Sequence, residues 1–352
     1  MRLLRYVLLE LALLLGAFTV SGVLLGQGCT HLARRSEART RANLAASFPA
    51  REPLFVAPPP NTTNETGGTF LGMADDLLLA RLRTAAITRS KANRGGSSLS
   101  FRLDFADGSR AAFKPAQTNL QTIPRKEVAA YRICRLLGLS AVPPATLRAV
   151  SRDELFTNLH PESQPLLPRL RAETLFTPQN KTLGALSYWI PEIKDAGWDT
   201  PEATQRTSRW LQIGVPLAKE DEAAASQLSN LVVFDFLTAN PDRYSGGNIK
   251  TSPDGERVYF MDNTMAFFLQ PEGHGRNRAW LQRTERFSRT LVSALPRLTI
   301  NRLERILGPD AEGQEILTTS EIRAVVARRE ALQRHVADLV TAHGEANVLI
   351  FP

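Results

Sequence analysis

The stretch from Leu228 to Phe268, LSNLVVFDFLTANPDRYSGGNIKTSPDGERVYFMDNTMAFF, constrains the fold more than any other part of the chain. Leu231, Val232, Phe234, Asp235 and Leu237 follow helical spacing, and the run ends before Pro241, whose ring cannot continue a helix. A short polar loop then carries Asp242 and Arg243. Two strand-like pieces follow, Asn248–Thr251 and Arg257–Met261, and Ser252-Pro253-Asp254-Gly255 supplies the turn between them. The second strand runs into Asp262-Asn263. One acid thus stands in a loop after a helix, and a second stands at the end of a hairpin.

Upstream, Asp75–Thr88 has the pattern of a short helix. Gly95, Gly96 and Ser97 form a flexible turn before Phe101–Phe105, which alternates like a half-buried strand. Asp107-Gly108 turns the chain back into Arg110–Lys114. Arg125–Leu137 reads as a helix with an apolar face, stopped by Gly138 and carrying Glu127 in its first turn. Leu183–Ile193 reads as an apolar connection between two lobes, with Tyr188 and Trp189 as possible flanks of a base pocket. Residues 151–182 show little pattern. Beyond the central stretch, Arg278–Leu295, Thr299–Leu307 and Thr318–Ala342 read as helices, the last opened by the capping box Thr318-x-x-Glu321.

Residues 3–25 are apolar apart from Arg5 and Glu10 and are long enough to span a membrane once, as an uncleaved anchor. Pro49, Pro53 and Pro58-Pro59-Pro60 mark a linker. The organisation expected is 1–27 anchor, 28–70 linker, 71–185 first lobe and 186–352 second lobe. Sequons stand at Asn61, Asn64 and Asn180. The net charge of +8 comes from 36 Arg and 7 Lys spread along the chain, without the basic stripe interleaved with aromatics that nucleic-acid binding uses. Such a surface favours phosphorylated ligands instead. Cys29 and Cys134 stand in contexts that do not suggest a disulfide, and two cysteines cannot build a thiolate metal site.

These residues suit phosphoryl transfer, which depends on positioning and charge neutralisation more than on covalent chemistry. Asp262 and Asn248 are hard oxygen ligands for Mg²⁺ or Mn²⁺. Asp242 can orient a hydroxyl and accept its proton. Lys114 can hold the phosphates of ATP, with Glu127 holding Lys114 and Gly95, Gly96 and Ser97 covering the nucleotide. Each also has a plainer explanation: turn chemistry for Asp242, a solvated strand end for Asp262, a helix-dipole partner for Glu127.

VVFDFLTANPDR followed by VYFMDNTMAF resembles the signature of the Four-jointed box kinases, atypical secretory-pathway kinases grouped with Golgi casein and xylose kinases. RLDFADGSRAAFKP and KEVAAYRICRLLGLSAVPPATLRAV resemble the same family's hairpin, lysine segment and helix. The resemblance implies an α+β, two-lobed, protein-kinase-like fold: a β-rich N-lobe and a mainly helical C-lobe behind an N-terminal membrane segment. It also implies Asp242 as catalytic aspartate, Asp262 as metal-binding aspartate, and Lys114 with Glu127 as the lysine–glutamate pair. The expected activity is a membrane-anchored, ATP-dependent kinase acting on protein Ser/Thr, with its catalytic part on the lumenal or extracytoplasmic side; a cytosol-facing orientation is the alternative, in keeping with Arg34, Arg35, Arg39 and Arg41 after the span. The alternatives are a glycan or small-molecule kinase, and a nucleotide-binding pseudokinase. Asn248 stands one residue further from Asp242 than in the family pattern, with Gly246-Gly247 between them.

Overall fold

Phe70 is 1% exposed, so ordered packing begins inside the stretch read as linker. In this computed structural model, which describes residues 67–244, 247–310 and 313–352, Thr69–Phe70 (β1) pairs antiparallel with Met73–Ala74 (β2). The anchor, Asn61, Asn64 and Cys29 lie outside the described residues. Among the described residues no helix is long and apolar enough to cross a membrane. Asp75–Thr84 (α1) ends short of Thr88, because Ile87–Ala92 (β3) starts a sheet in which Ile87 pairs with Phe105.

Phe101–Phe105 (β4) and Arg110–Pro115 (β5) form the hairpin that Asp107-Gly108 signals, and Gly108 takes the positive φ of 79° that the turn requires. Arg125–Leu136 (α2) follows and stops at Gly138, whose φ is also 79°. Ala145–Ser151 (β6) leads through a Ser151–Glu154 capping box into Arg152–Phe156 (α3), and Leu167–Glu173 (α4) precedes Lys181–Tyr188 (β7). The five strands are antiparallel in the order β3-β4-β5-β7-β6. Most of the apolar run read as a connector is therefore the strand between β5 and β6, which explains its hydrophobicity; the connecting segment starts at Trp189. A lobe boundary at 185/186 falls inside that strand.

The remainder is mainly helical. After Lys194–Asp195 (β8) come Pro201–Trp210 (α5) and the apolar Glu222–Thr238 (α6). Ile249–Thr251 (β9) and Val258–Phe260 (β10) form the hairpin, which joins β8 in a three-stranded sheet. Arg278–Leu295, read as one helix, is two: Gly275–Gln282 (α7) and Arg289–Ala294 (α8). The break is imposed by tertiary bonds. Phe287 is fully buried and donates its N–H to Val348, and Ser288 caps α8 by accepting from the N–H of Leu291. Ile300–Leu307 (α9), Thr319–His343 (α10, opened by the Thr318–Glu321 capping box) and Glu345–Val348 (α11) complete the chain. Cys134 lies buried in α2, where loss of solvent pushes its thiol pKa up.

Phe70 joins the two parts. It packs with Leu78, Ile190 of the connecting segment and Tyr259 of β10, a strand of the three-stranded sheet. Behind it Asp75 accepts from Arg135 at 2.6 Å and from the Tyr131 hydroxyl at 2.9 Å, a buried network that fastens α1 to α2.

Candidate active site

Alternation along β5 buries Ala111 and Phe113 on one face and leaves Lys114 on the other. Its ammonium lies 2.8 Å from Glu127 Oε1 and 2.6 Å from Asp262 Oδ1. Burial opposes the charge on Lys114, but the two carboxylates outweigh it and hold its pKa above the ordinary lysine value. Burial likewise opposes ionisation of Asp262, and Lys114 with the Thr264 hydroxyl overcomes it, so this carboxyl lies below its usual range. Glu127 has a second partner: it accepts from the backbone N–H of Asn263 at 3.1 Å and from the Asn263 side chain at 3.3 Å. Helix α2, the lysine strand and the end of the β9–β10 hairpin therefore converge on one carboxylate.

Asp242 reaches the same place from the other side. Helix α6 ends where Ala239 turns left-handed, with φ 49°. Asn240 then accepts from the N–H of Asp242 at 3.1 Å and donates to the carbonyl of Asp262 at 3.1 Å. Asn248 donates to the Asp242 carbonyl at 3.0 Å and to its carboxylate at 3.2 Å. The two residues thus meet despite the extra residue between them. Asp262 itself sits at φ 52°, and Phe267 at φ 61°. Left-handed backbone at non-glycine residues costs about 1–3 kcal/mol each and gathers at functional sites.

Arg243, which sequence reasoning passed over, holds this loop together. It is fully buried, and its Nε donates to both oxygens of Asp235 at 3.1 Å. Its other nitrogens donate to the carbonyls of Asn248 and Met261 and to Asn263 Oδ1, the last at 2.7 Å. The sequence held a clue, since Asp235 interrupts the apolar run LVVFDF and a buried acid needs a cation.

Lys114, Glu127, Asp242, Asn248 and Asp262 are thus brought together. Gly95, Gly96 and Ser97 stand apart, on the turn between β3 and β4, with positive φ at both glycines and open space about their Cα atoms. Phe101 pairs with Phe113, so this turn lies at the Lys114 end of the sheet. The donor set at Asp262 and Asn248 fits a hard divalent cation. Among the described residues no group of three or more His, Cys, Asp or Glu side chains can hold a metal. A cation here would take its other ligands from phosphate oxygens and water, as the metals of phosphotransferases do.

Residues 78–270, which include all five of these side chains, match the family model described as Four-jointed box protein middle domain. The chain belongs to the Four-jointed box family. No curated protein matches it by sequence. Among solved structures, this Four-jointed box chain is similar to the Golgi casein kinase with Mn/ADP bound (TM-score 0.61, 16% identity, 78% of each chain covered). It is also similar to the Golgi casein kinase in a second structure (TM-score 0.61, 15% identity, covering 78% of this chain and 77% of that one). Hydra Fam20 with sugar matches at TM-score 0.60 and 19% identity, covering 77% of this chain and 90% of that one. The Four-jointed box chain therefore has a mixed α/β, kinase-like fold, with a sheet-rich part followed by a helical part.

Proposed function

We propose that this chain is an ATP-dependent kinase that transfers a phosphoryl group to a hydroxyl, most naturally that of a protein Ser or Thr, using Mn²⁺ or Mg²⁺. The observation that carries this reading is the contact of Lys114 with both Glu127 and Asp262, beside the bonded pair of Asp242 and Asn248. Asp262 and Asn248 would hold the metal, which when bound neutralises charge on the phosphate oxygens. Lys114, kept charged by its two carboxylate neighbours, binds phosphate as a fixed cation. Glu127 keeps that ammonium in place and, through Asn263, ties it to the Asp262 turn. Asp242 orients the acceptor hydroxyl and takes its proton.

Membership of a family of secretory-pathway kinases supports action outside the cytoplasm, tethered by the apolar segment at residues 3–25. A glycan hydroxyl is the second reading for the acceptor, favoured by the similarity to a Fam20 structure with sugar. Offering labelled ATP with casein and, separately, with an oligosaccharide pool separates the two. Label on casein alone supports the protein-kinase reading, and label on the glycan alone replaces it.

A further inference from the structure

Helix α2 carries charged side chains on two faces, and Lys114 meets one of them. Arg125 and Arg132 are seven residues apart, about two turns of helix, and so share a face. Glu127 stands two residues after Arg125, about 200° round the axis, and reaches Lys114 and Asn263. Arg125 reaches the other way, to the C-terminal helices. Its guanidinium donates to both carboxylate oxygens of Glu321, at 2.7 and 3.0 Å, and to the Ile316 carbonyl at 2.8 Å. Arg132 donates to the Ile306 carbonyl of α9 at 2.6 Å.

Glu321 is the fixed end of this arrangement. It is buried, and it closes the capping box of α10 by accepting from the Thr318 N–H at 2.8 Å. Burial opposes its charge, and the Arg125 guanidinium overcomes that, so the carboxyl lies below its usual range. Seven residues on, along the same face of α10, Arg328 is fully buried and donates to the carbonyls of Leu237 and Phe268. Leu237 lies at the end of α6, just ahead of the Asp242 loop, and Phe268 follows the Asp262 turn. One helix thus braces both α2 and the backbone that presents the two aspartates. A bidentate guanidinium–carboxylate pair fixes direction as well as distance, which a single-point contact does not.

Resting on the kinase reading above, we infer that Glu321 is a positioning residue for phosphate transfer. Through Arg125 it holds the first turn of α2, and with it Glu127, against Lys114 and Asn263. Glu321 lies on the far side of α2 from Lys114, so its effect on the reaction passes through the helix. A shift of about 1 Å in a group that orders reacting atoms is enough to slow a reaction markedly.

Rates of labelled-phosphate transfer from ATP to casein by the full chain, measured beside melting temperatures, test the inference. Glu321→Gln keeps a capping side chain and loses the ion pair, and its rate should fall about tenfold. Arg125→Lys, which keeps the charge and loses the fork, should show the same loss. Thr318→Ala, which weakens the cap and leaves the Arg125–Glu321 pair, should lower the melting temperature and keep the wild-type rate. In the Glu127→Ala background, Glu321→Gln should cause no further loss, because it acts through Glu127; a general loosening of the fold would multiply the two losses. Wild-type rates in both Glu321→Gln and Arg125→Lys overturn the inference and leave the kinase reading standing. A further loss of about tenfold from Glu321→Gln in Glu127→Ala does the same. A wild type that transfers no phosphate overturns both.

Discussion

Glu127 and Asn263, 136 residues apart in the chain, are joined by two hydrogen bonds, one from the Asn263 backbone N–H and one from its side-chain amide. Because Glu127 also holds Lys114, it connects that ammonium to the turn that presents Asp262. Glu127→Ala should therefore reduce phosphate transfer by about 10²-fold or more through misplaced groups. The domain should remain folded. Initial-rate kinetics with circular dichroism on the same sample check this.

Arg243→Met leaves Asp235 buried without its cation, an arrangement that costs about 3–5 kcal/mol. Adding Asp235→Asn should recover part of that stability. Activity should not return with it, because the carbonyls of Asn248 and Met261 still lack the Arg243 donor. Denaturant unfolding of the single and double variants, alongside rates, separates the two effects.

Lys126 is 5% exposed, with its ammonium 5.4 Å from the centre of the Phe268 ring. Burial lowers its pKa to about 8, against the pull of Glu321 and with the help of Arg125. A lysine with a depressed folded value binds its proton less tightly folded than unfolded, so between about pH 8 and 10.5 the unfolded chain holds more protons and stability rises with pH. Lys126→Met should therefore be more stable than wild type by on the order of 1–3 kcal/mol below pH 8. That advantage should shrink toward zero by the ordinary lysine pKa. Urea unfolding of both proteins across this range measures it.

Phe70 packs against Leu78, Ile190 and Tyr259, so Phe70→Ala should destabilise the protein by about 3–5 kcal/mol, as deletion of a buried aromatic ring does. A chain begun at residue 75 should show the same loss. Thermal melts of both test whether the β1–β2 turn belongs to the fold.

Where local chemistry dictated structure, the sequence was sufficient. Asp107-Gly108 could only be a tight turn, and Thr318 with Glu321 could only open a helix, and both are so. The order lysine, helix glutamate, loop aspartate, strand-end aspartate could be read because each residue sits at the terminus of a recognisable element. Long-range demands were hidden. Nothing local to Thr284–Ser288 reveals that Phe287 bonds to Val348 and breaks the helix. Strand β7 looked like a linker because an apolar run with sheet on both sides lacks alternation. Arg328 of α10 is fully buried, donating to the carbonyls of Leu237, Phe268 and Gln270. Partners that are backbone carbonyls leave no trace in residue identity.

The central claim is that the groups gathered around Lys114 transfer phosphate. The full chain incubated with labelled ATP and Mn²⁺ or Mg²⁺, with casein as acceptor, tests it most directly. Label should appear on casein or on the chain itself, reduced by about 10²–10⁴-fold in Asp242→Asn and Asp262→Asn, both of which remain folded. No transfer by the wild type, together with no thermal shift on adding nucleotide and metal, would contradict it.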